Sequence, residues 1–410
     1  MAWFDPGLPV SSVPTTDTAQ AADLGHPRAW PAARLDSVDA VRGVIMVLMA
    51  LDHVRDFFGT AGNPTDLTTT TAGLFFTRWI THVCAPGFFL LTGVGSRLAL
   101  RTRSRAELSR FLVTRGAWLI LLEIVFVRSF ALQFNVDYRV TVLTVLWALG
   151  WAMITLALLI RWDQRTILAI GLTMIALHNL LDGVSLGALW NVVHGPGMLL
   201  TGSHLVLVGY PLVPWIGVTA VGFCLGQVYD WPAERRRPWL LRTGMALSLG
   251  FLVLRALNVY GDPVPWSTQS SPLFTLLSVL NTSKYPPSLL FLLMTLGPVL
   301  CLLGLLDRGT PVVLAPAELI GRVPLFYYLV HFPLIHLLAV GFCYVRYGEA
   351  HWMFESPSLD HFPFTRPPGW GYGLAVCYGI WVGLVLVMYP LCRWYAGLKR
   401  RRRDWWLGYL

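Results

Sequence analysis

Residues 37–58 read SVDAVRGVIMVLMALDHVRDFF, an apolar run of helical length with charged groups gathered at both ends. A helix needs about 20 mainly apolar residues to cross a bilayer. Ionisable side chains inside such a helix cost several kcal/mol and face the bundle interior or a watery cavity. Asp39 and Arg42 stand three residues apart at the start and can pair on one face. Asp52, His53, Arg55 and Asp56 crowd the other end, with Asp52, Arg55 and Asp56 sharing a face. The segment therefore reads as a membrane helix that turns a polar end towards a vestibule.

Nine further segments read as spans: 73–98, 111–132, 141–160, 165–182, 208–228, 239–258, 287–306, 322–345 and 371–396. The expected fold is all-α, a polytopic bundle of about ten transmembrane helices over residues 37–397. Composition agrees: 55% of the 410 residues are hydrophobic and 13% charged, against about 25% charged in soluble domains. Residues 1–36 are polar, rich in Pro, Ala and Thr, and lack the apolar core of a signal peptide; they are expected to form a disordered cytoplasmic tail. Residues 398–410 form a basic cytoplasmic tail. Six cysteines show no CxxC spacing and read as buried small hydrophobes.

The net charge of +9 does not indicate nucleic acid, because the basic residues alternate between loops. Counted by side, 22 Lys and Arg fall on one face and 5 on the other, which places both termini in the cytoplasm. The expected partner is the lipid bilayer, and oligomer formation stays open. The loops of the far face, 59–72, 183–207, 259–286 and 346–370, are longer and of mixed polarity, as functional loops often are.

In the second span Arg78 and His82 sit one turn apart, ahead of a Pro86–Gly87 break. The fifth ends in HNLLD, which stacks His178 above Asp182, and the ninth holds His331 and His336 around Pro333. Histidine is the usual general base at neutral pH, and Arg or Lys can neutralise a developing oxyanion. No GxSxG, Walker, GxGxxG or HExxH motif occurs. No two histidines stand at i, i+4, so no metal site is expected.

The stretch RLDSVDAVRG (34–43), followed by MVLM and DHVRD, resembles the opening of the catalytic domain of the heparan-α-glucosaminide N-acetyltransferase family and its bacterial branch. So does HVCAPGFFLLTG (82–93). YPLVPWIGV (from Tyr210), KYPPSLLFLLMTLGP (from Lys284) and GRVPLFYYLVH (from Gly321) resemble segments of the bacterial branch. The resemblance implies an acetyltransferase that takes acetyl-CoA from the cytoplasm and acetylates a sugar amine or hydroxyl of a glycan or cell-envelope acceptor on the other face. It also implies a bacterial cytoplasmic (inner) membrane. The family's lysosomal member is held to use a histidine of its first non-cytoplasmic loop, but residues 59–72 (GTAGNPTDLTTTTA) contain none. His53 or His82 is therefore expected to be the base, with Asp52 or Asp56 as orienting partner and Asp66 as a loop candidate. Arg55, Arg78, His178, Asp182, Lys284, Tyr285 and His331 are expected around the acceptor, and Arg42, Arg97 and Arg101 at the CoA phosphates. The alternative is a transporter or channel for a small polar or anionic solute, using the same buried ions without chemistry.

Overall fold

The computed structural model describes residues 35–60, 62–358, 363–402, 404 and 407. The expected N-terminal tail, up to residue 34, lies outside the described residues.

The chain is mostly helical, and each of the ten expected segments coincides with a helix. Helix α1 spans Asp36–Phe58; α2 (Ala72–Ile80) and α3 (Cys84–Ala99) form the second segment. Then follow α4 (Arg105–Leu121), α5 (Val145–Leu159), α6 (Gln164–Leu177), α7 (Ala188–Val193), α8 (Leu212–Leu225) and α9 (Ala233–Leu257). After them come α10 (Pro272–Leu280), α11 (Leu289–Leu306), α12 (Ala315–Gly321), α13 (Pro324–Tyr347) and α14 (Leu374–Arg401). Helix α14 takes in the first four residues of the expected basic tail.

Six helices among the described residues are long and apolar enough to cross a membrane: Ala72–Ala99, Leu212–Asp230, Ala233–Leu257, Leu289–Leu306, Pro324–Tyr347 and Leu374–Arg401. Helix α1 is not among them, because it carries six charged residues. Those charges are paired internally instead. Helices α9 and α14 turn Met245, Leu249 and Leu252, and Val382, Leu386 and Val387, outward. A continuous exposed apolar surface of this kind suits lipid rather than water.

The all-α expectation needs correction. Strands β1 (Val140–Leu143), β2 (Gly197–Leu200) and β3 (Leu205–Val208) make a small sheet in the order β1-β3-β2. β1 lies parallel to β3, and β2 antiparallel to it. VTVL and LVLV favour extended backbone, and four residues are too few to show a period. The fourth segment therefore opens as a strand, and its helix starts only after Thr144. There Glu123 accepts hydrogen bonds from the Thr144 hydroxyl (2.6 Å) and the Leu146 amide (3.1 Å), so a carboxylate from a neighbouring helix satisfies the end of α5. The third segment changes from α4 into a π-helix over Leu122–Leu132.

Helix α1 is central. It packs on α3, α12, α13 and α14, and its last carbonyls are all engaged. Gly59 N donates to Arg55 O (2.7 Å), Arg366 Nη2 to Asp56 O (2.9 Å), Trp370 Nε1 to Phe57 O (2.9 Å) and Tyr372 N to Phe58 O (2.7 Å). Four carbonyls that a helix end leaves open are closed by its own flank and a loop more than 300 residues away, which fixes the polar end of α1.

Candidate functional site

Helix α1 carries His53 at its polar end, and α13 carries His331. His331 lies entirely buried one turn after Tyr327, and its Nδ1 donates to the Tyr327 carbonyl at 2.9 Å. That bond fixes the tautomer: Nε2 of a neutral His331 has only a lone pair to offer. It faces His53 Nδ1 at 2.9 Å, so His53 Nδ1 must be the donor. The remaining nitrogen of His53, Nε2, is left as a free base. Phe332 stacks on the His53 ring at 3.9 Å between centroids and holds its plane.

Asp52, next to His53, is engaged elsewhere. Arg78 donates to its Oδ2, and Arg55 to its Oδ1 at 2.9 Å. Arg55 also reaches Asp56 at 2.5 Å. The four side chains form a chain of alternating charge across α1 and α2, and no bond joins either carboxylate to His53. The residue that orients His53 is His331, not Asp52 or Asp56.

Three cavities adjoin these groups. An outer one of about 620 Å³ is walled by Arg55, Asp56, Arg78, His82, Lys284 and Arg366 together with residues 62–65. A smaller one of about 150 Å³ contains Asp52, His53, Thr144, Tyr210, Tyr328 and Phe332. Asp56, Arg78, Lys284 and Tyr285 line both, so the two are neighbouring rooms. A third, of about 390 Å³, lies on the opposite side of Tyr328 and Val145, which it shares with the small chamber. Its walls are largely apolar, with Arg42, Arg103 and Arg115 among them. The three lie in a row, and Tyr328, beside His53, stands between the small chamber and the third cavity.

His82 falls in the gap between α2 and α3. Pro86 has no N–H for the carbonyl four residues back, so the chain takes a 3-10 turn over Thr81–Val83 before helix resumes. His82 is buried against Phe291, reaches the outer cavity, and its Nδ1 has no hydrogen-bond partner. Lys284 lines the outer and small chambers, its ammonium 5.2 Å from the Tyr285 ring, and no carboxylate lies within salt-bridge distance of it among the described residues. Its loop is held by Asp262, which accepts from Ser283 N (2.9 Å) and Ser288 Oγ (2.6 Å). Buried Arg255 braces the same loop through the carbonyls of Val264, Ser278, Val279 and Asn281.

Other expected site residues fall outside these rooms. Asp66 accepts from the backbone and hydroxyl of Thr68, bonds that hold its carboxyl below the usual carboxylate range, and it is not part of the cavity wall. A carboxylate held this way is a weak base. Arg97 and Arg101 both pair with Asp230, at 3.0 and 2.9 Å, away from the apolar cavity. Arg42 does line that cavity while bonding Asp39 (2.8 Å) and the Gly321 carbonyl (3.1 Å). His178 and Asp182 lie apart from the rooms, beside His194. His336 is a packed core histidine, bonded to the carbonyls of Ala131 and Met353.

Arg103, Arg115 and Tyr328 were not singled out by the sequence. The two arginines look like ordinary positive-inside residues, and only the cavity between α3, α4 and α5 distinguishes them. Tyr328 stands three residues before His331 in a run of aromatics, a spacing that marked it in hindsight.

The family model described as "Heparan-alpha-glucosaminide N-acetyltransferase, catalytic" matches residues 34–260. That region holds α1 to α9, with His53, Arg78 and His82; Lys284 and His331 come after it. No curated protein matches the chain.

Proposed function

The chain belongs to the heparan-alpha-glucosaminide N-acetyltransferase catalytic family, and from that premise we propose that it is a membrane acetyltransferase with His53 as its general base. The observation that carries this reading is the Tyr327 carbonyl–His331–His53 chain beside the small chamber. The ten helical segments would cross the bilayer with both termini cytoplasmic, in a bacterial inner membrane. The cavity walled by Arg42, Arg103 and Arg115 would then open to the cytoplasm and admit acetyl-CoA, with the thioester end near Tyr328. The outer cavity would receive a sugar amine or hydroxyl of a glycan or cell-envelope acceptor.

In the small chamber the acceptor O–H or N–H attacks the thioester carbonyl carbon while His53 Nε2 takes its proton. A C–O or C–N bond forms, the C–S bond breaks, and the proton passes from His53 to the departing thiolate. The products are an acetylated acceptor and the CoA thiol. Lys284 and Arg78 line the chamber where the carbonyl oxygen gains charge, the placement that favours a tetrahedral intermediate.

The test is thiol release from acetyl-CoA by detergent-purified protein with glucosamine as the probe acceptor. Wild type should release thiol in step with acetylglucosamine formation, and His53→Ala should lose both. Binding of acetyl-CoA with turnover unchanged in His53→Ala would remove His53 from the role. Solute flux in proteoliposomes, with no use of acetyl-CoA, would favour transport instead.

A further inference from the structure

His178, Asp182 and His194 bring one ligand atom each to within 4.8 Å of one another. They come from two places: the turn that ends α6, where His178 and Asp182 stand four residues apart, and the residue just after α7. His194 Nε2 is 3.0 Å from Asp182 Oδ1, and the imidazole rings of His178 and His194 meet edge to face at 5.5 Å. Both histidines are 2% exposed. Neither ring nitrogen of His178 makes a hydrogen bond of standard geometry, although the Pro287 carbonyl is close, and Nδ1 of His194 is also unpaired. Buried polar atoms are paired in the great majority of cases, so unpaired ring nitrogens on two buried histidines in contact call for a partner.

The carboxylate is aimed by a neighbour. Asn179 Oδ1 accepts from the Leu289 amide at 2.9 Å, which fixes its amide orientation. Its Nδ2 must then face Asp182 Oδ2, at 2.8 Å, which leaves Oδ1 for the cluster. An outer hydrogen bond that orients a carboxylate ligand is a regular part of metal sites.

We propose that His178, Asp182 and His194 bind a divalent transition-metal cation of the Zn²⁺ class. Two imidazoles and one carboxylate suit Zn²⁺, with a fourth position left for water. Tetrahedral bonds of 2.0–2.2 Å need ligand atoms about 3.3 Å apart, so His194 and Asp182 already meet the spacing and His178 needs a small movement. Asp182 reaches the surface, which gives the ion a way in. The metal fastens α7 to the end of α6, and through Asn179 to the start of α11, directly after the loop that carries Lys284. It acts as a clamp on that loop, outside the reacting groups.

The test uses untagged, detergent-purified full-length protein stripped with chelator and titrated with Zn²⁺. Wild type should retain one ion per chain after gel filtration. Co²⁺ in its place should give the intense absorption of a four-coordinate nitrogen–oxygen site. His178→Ala and Asp182→Asn should each reduce retention to background, and Asn179→Ala should weaken it by about 10-fold or more. Absence of stoichiometric Zn²⁺ in the wild type, or retention unchanged in Asp182→Asn, overturns the proposal. Should His178→Ala not fold, Asp182→Asn and the Co²⁺ spectrum of the wild type decide. None of these measurements depends on acetyl transfer, so failure of the acetyltransferase reading would show separately.

Discussion

His53 Nδ1 lies 2.9 Å from His331 Nε2, and that contact decides which nitrogen of His53 is left for chemistry. If His53 is the general base, it contributes about 10²- to 10⁴-fold, and His53→Ala should lower turnover by that range. His331 acts through His53, so His331→Ala should cost less, on the order of tenfold, and shift the pH profile of kcat. His331→Gln places an amide oxygen near the lost Nε2 and should recover part of the rate. The check is steady-state turnover across pH for all three variants; equal losses in both alanine variants and no recovery by Gln would refute the relay.

Asp52 is held by Arg78 and Arg55 inside the bundle. Removing one partner of a buried ion pair costs about 3–5 kcal/mol when the other charge is left bare, and less here, because Asp52 keeps Arg55. Arg78→Gln should therefore lower the unfolding midpoint. Asp52→Asn with Arg78→Gln removes both charges and leaves Arg55 paired with Asp56 at 2.5 Å. The double variant should lose less than the sum of Asp52→Asn and Arg78→Gln alone, which a double-mutant cycle by thermal unfolding will measure. An additive result would mean that the two residues do not depend on each other.

The helices were legible because apolar length is a local property, and all ten expected segments fall on helices. What was local about the site was legible too: Asp52, Arg55, Asp56 and Arg78 share one ionic chain, and their charges could not face lipid. Pairings across sequence were not. His53 and His331 are 278 residues apart, and nothing near His53 distinguishes His331 from Asp52 as its partner. The strands were missed because four residues of VTVL look like the start of an apolar span. His194 was passed over because it follows a short loop helix, with no i, i+4 relation to another histidine. The partner of Arg97 and Arg101 was equally hidden: Asp230, 129 residues after Arg101, pairs with both.

Helices α1 and α12 meet backbone to backbone. A Cβ on Gly43 would stand 1.6 Å from the Ala317 carbonyl oxygen, and one on Gly321 would stand 1.8 Å from that of Asp39. Small residues at a helix crossing allow this approach, and Arg42 uses it to reach the Gly321 carbonyl. Gly43→Ala must push the helices apart, at a cost of about 1–3 kcal/mol or more. Gly379→Ala, where a Cβ meets nothing within 4 Å, is the control and should be neutral or slightly stabilising. Thermal unfolding in detergent compares the two, and equal midpoints would place the close contact in doubt.

Charge near the apolar cavity separates two sets of arginines. Arg103 is exposed at the cavity wall with its guanidinium 4.4 Å from the Phe111 ring, whereas Arg101 is committed to Asp230. If the CoA phosphates enter here, Arg103→Ala removes a charge-assisted bond and should raise KM for acetyl-CoA about tenfold. It should leave kcat little changed, because the lost contact is the same in ground and transition states. Arg101→Ala should instead act on stability, with KM close to wild type. Acetyl-pantetheine, which lacks the nucleotide phosphates, supplies the internal control: its KM should be the same in wild type and Arg103→Ala. An equal rise for both donors would assign Arg103 to the shape of the cavity, and a rise in Arg101→Ala alone would move the phosphate site to the Asp230 cluster.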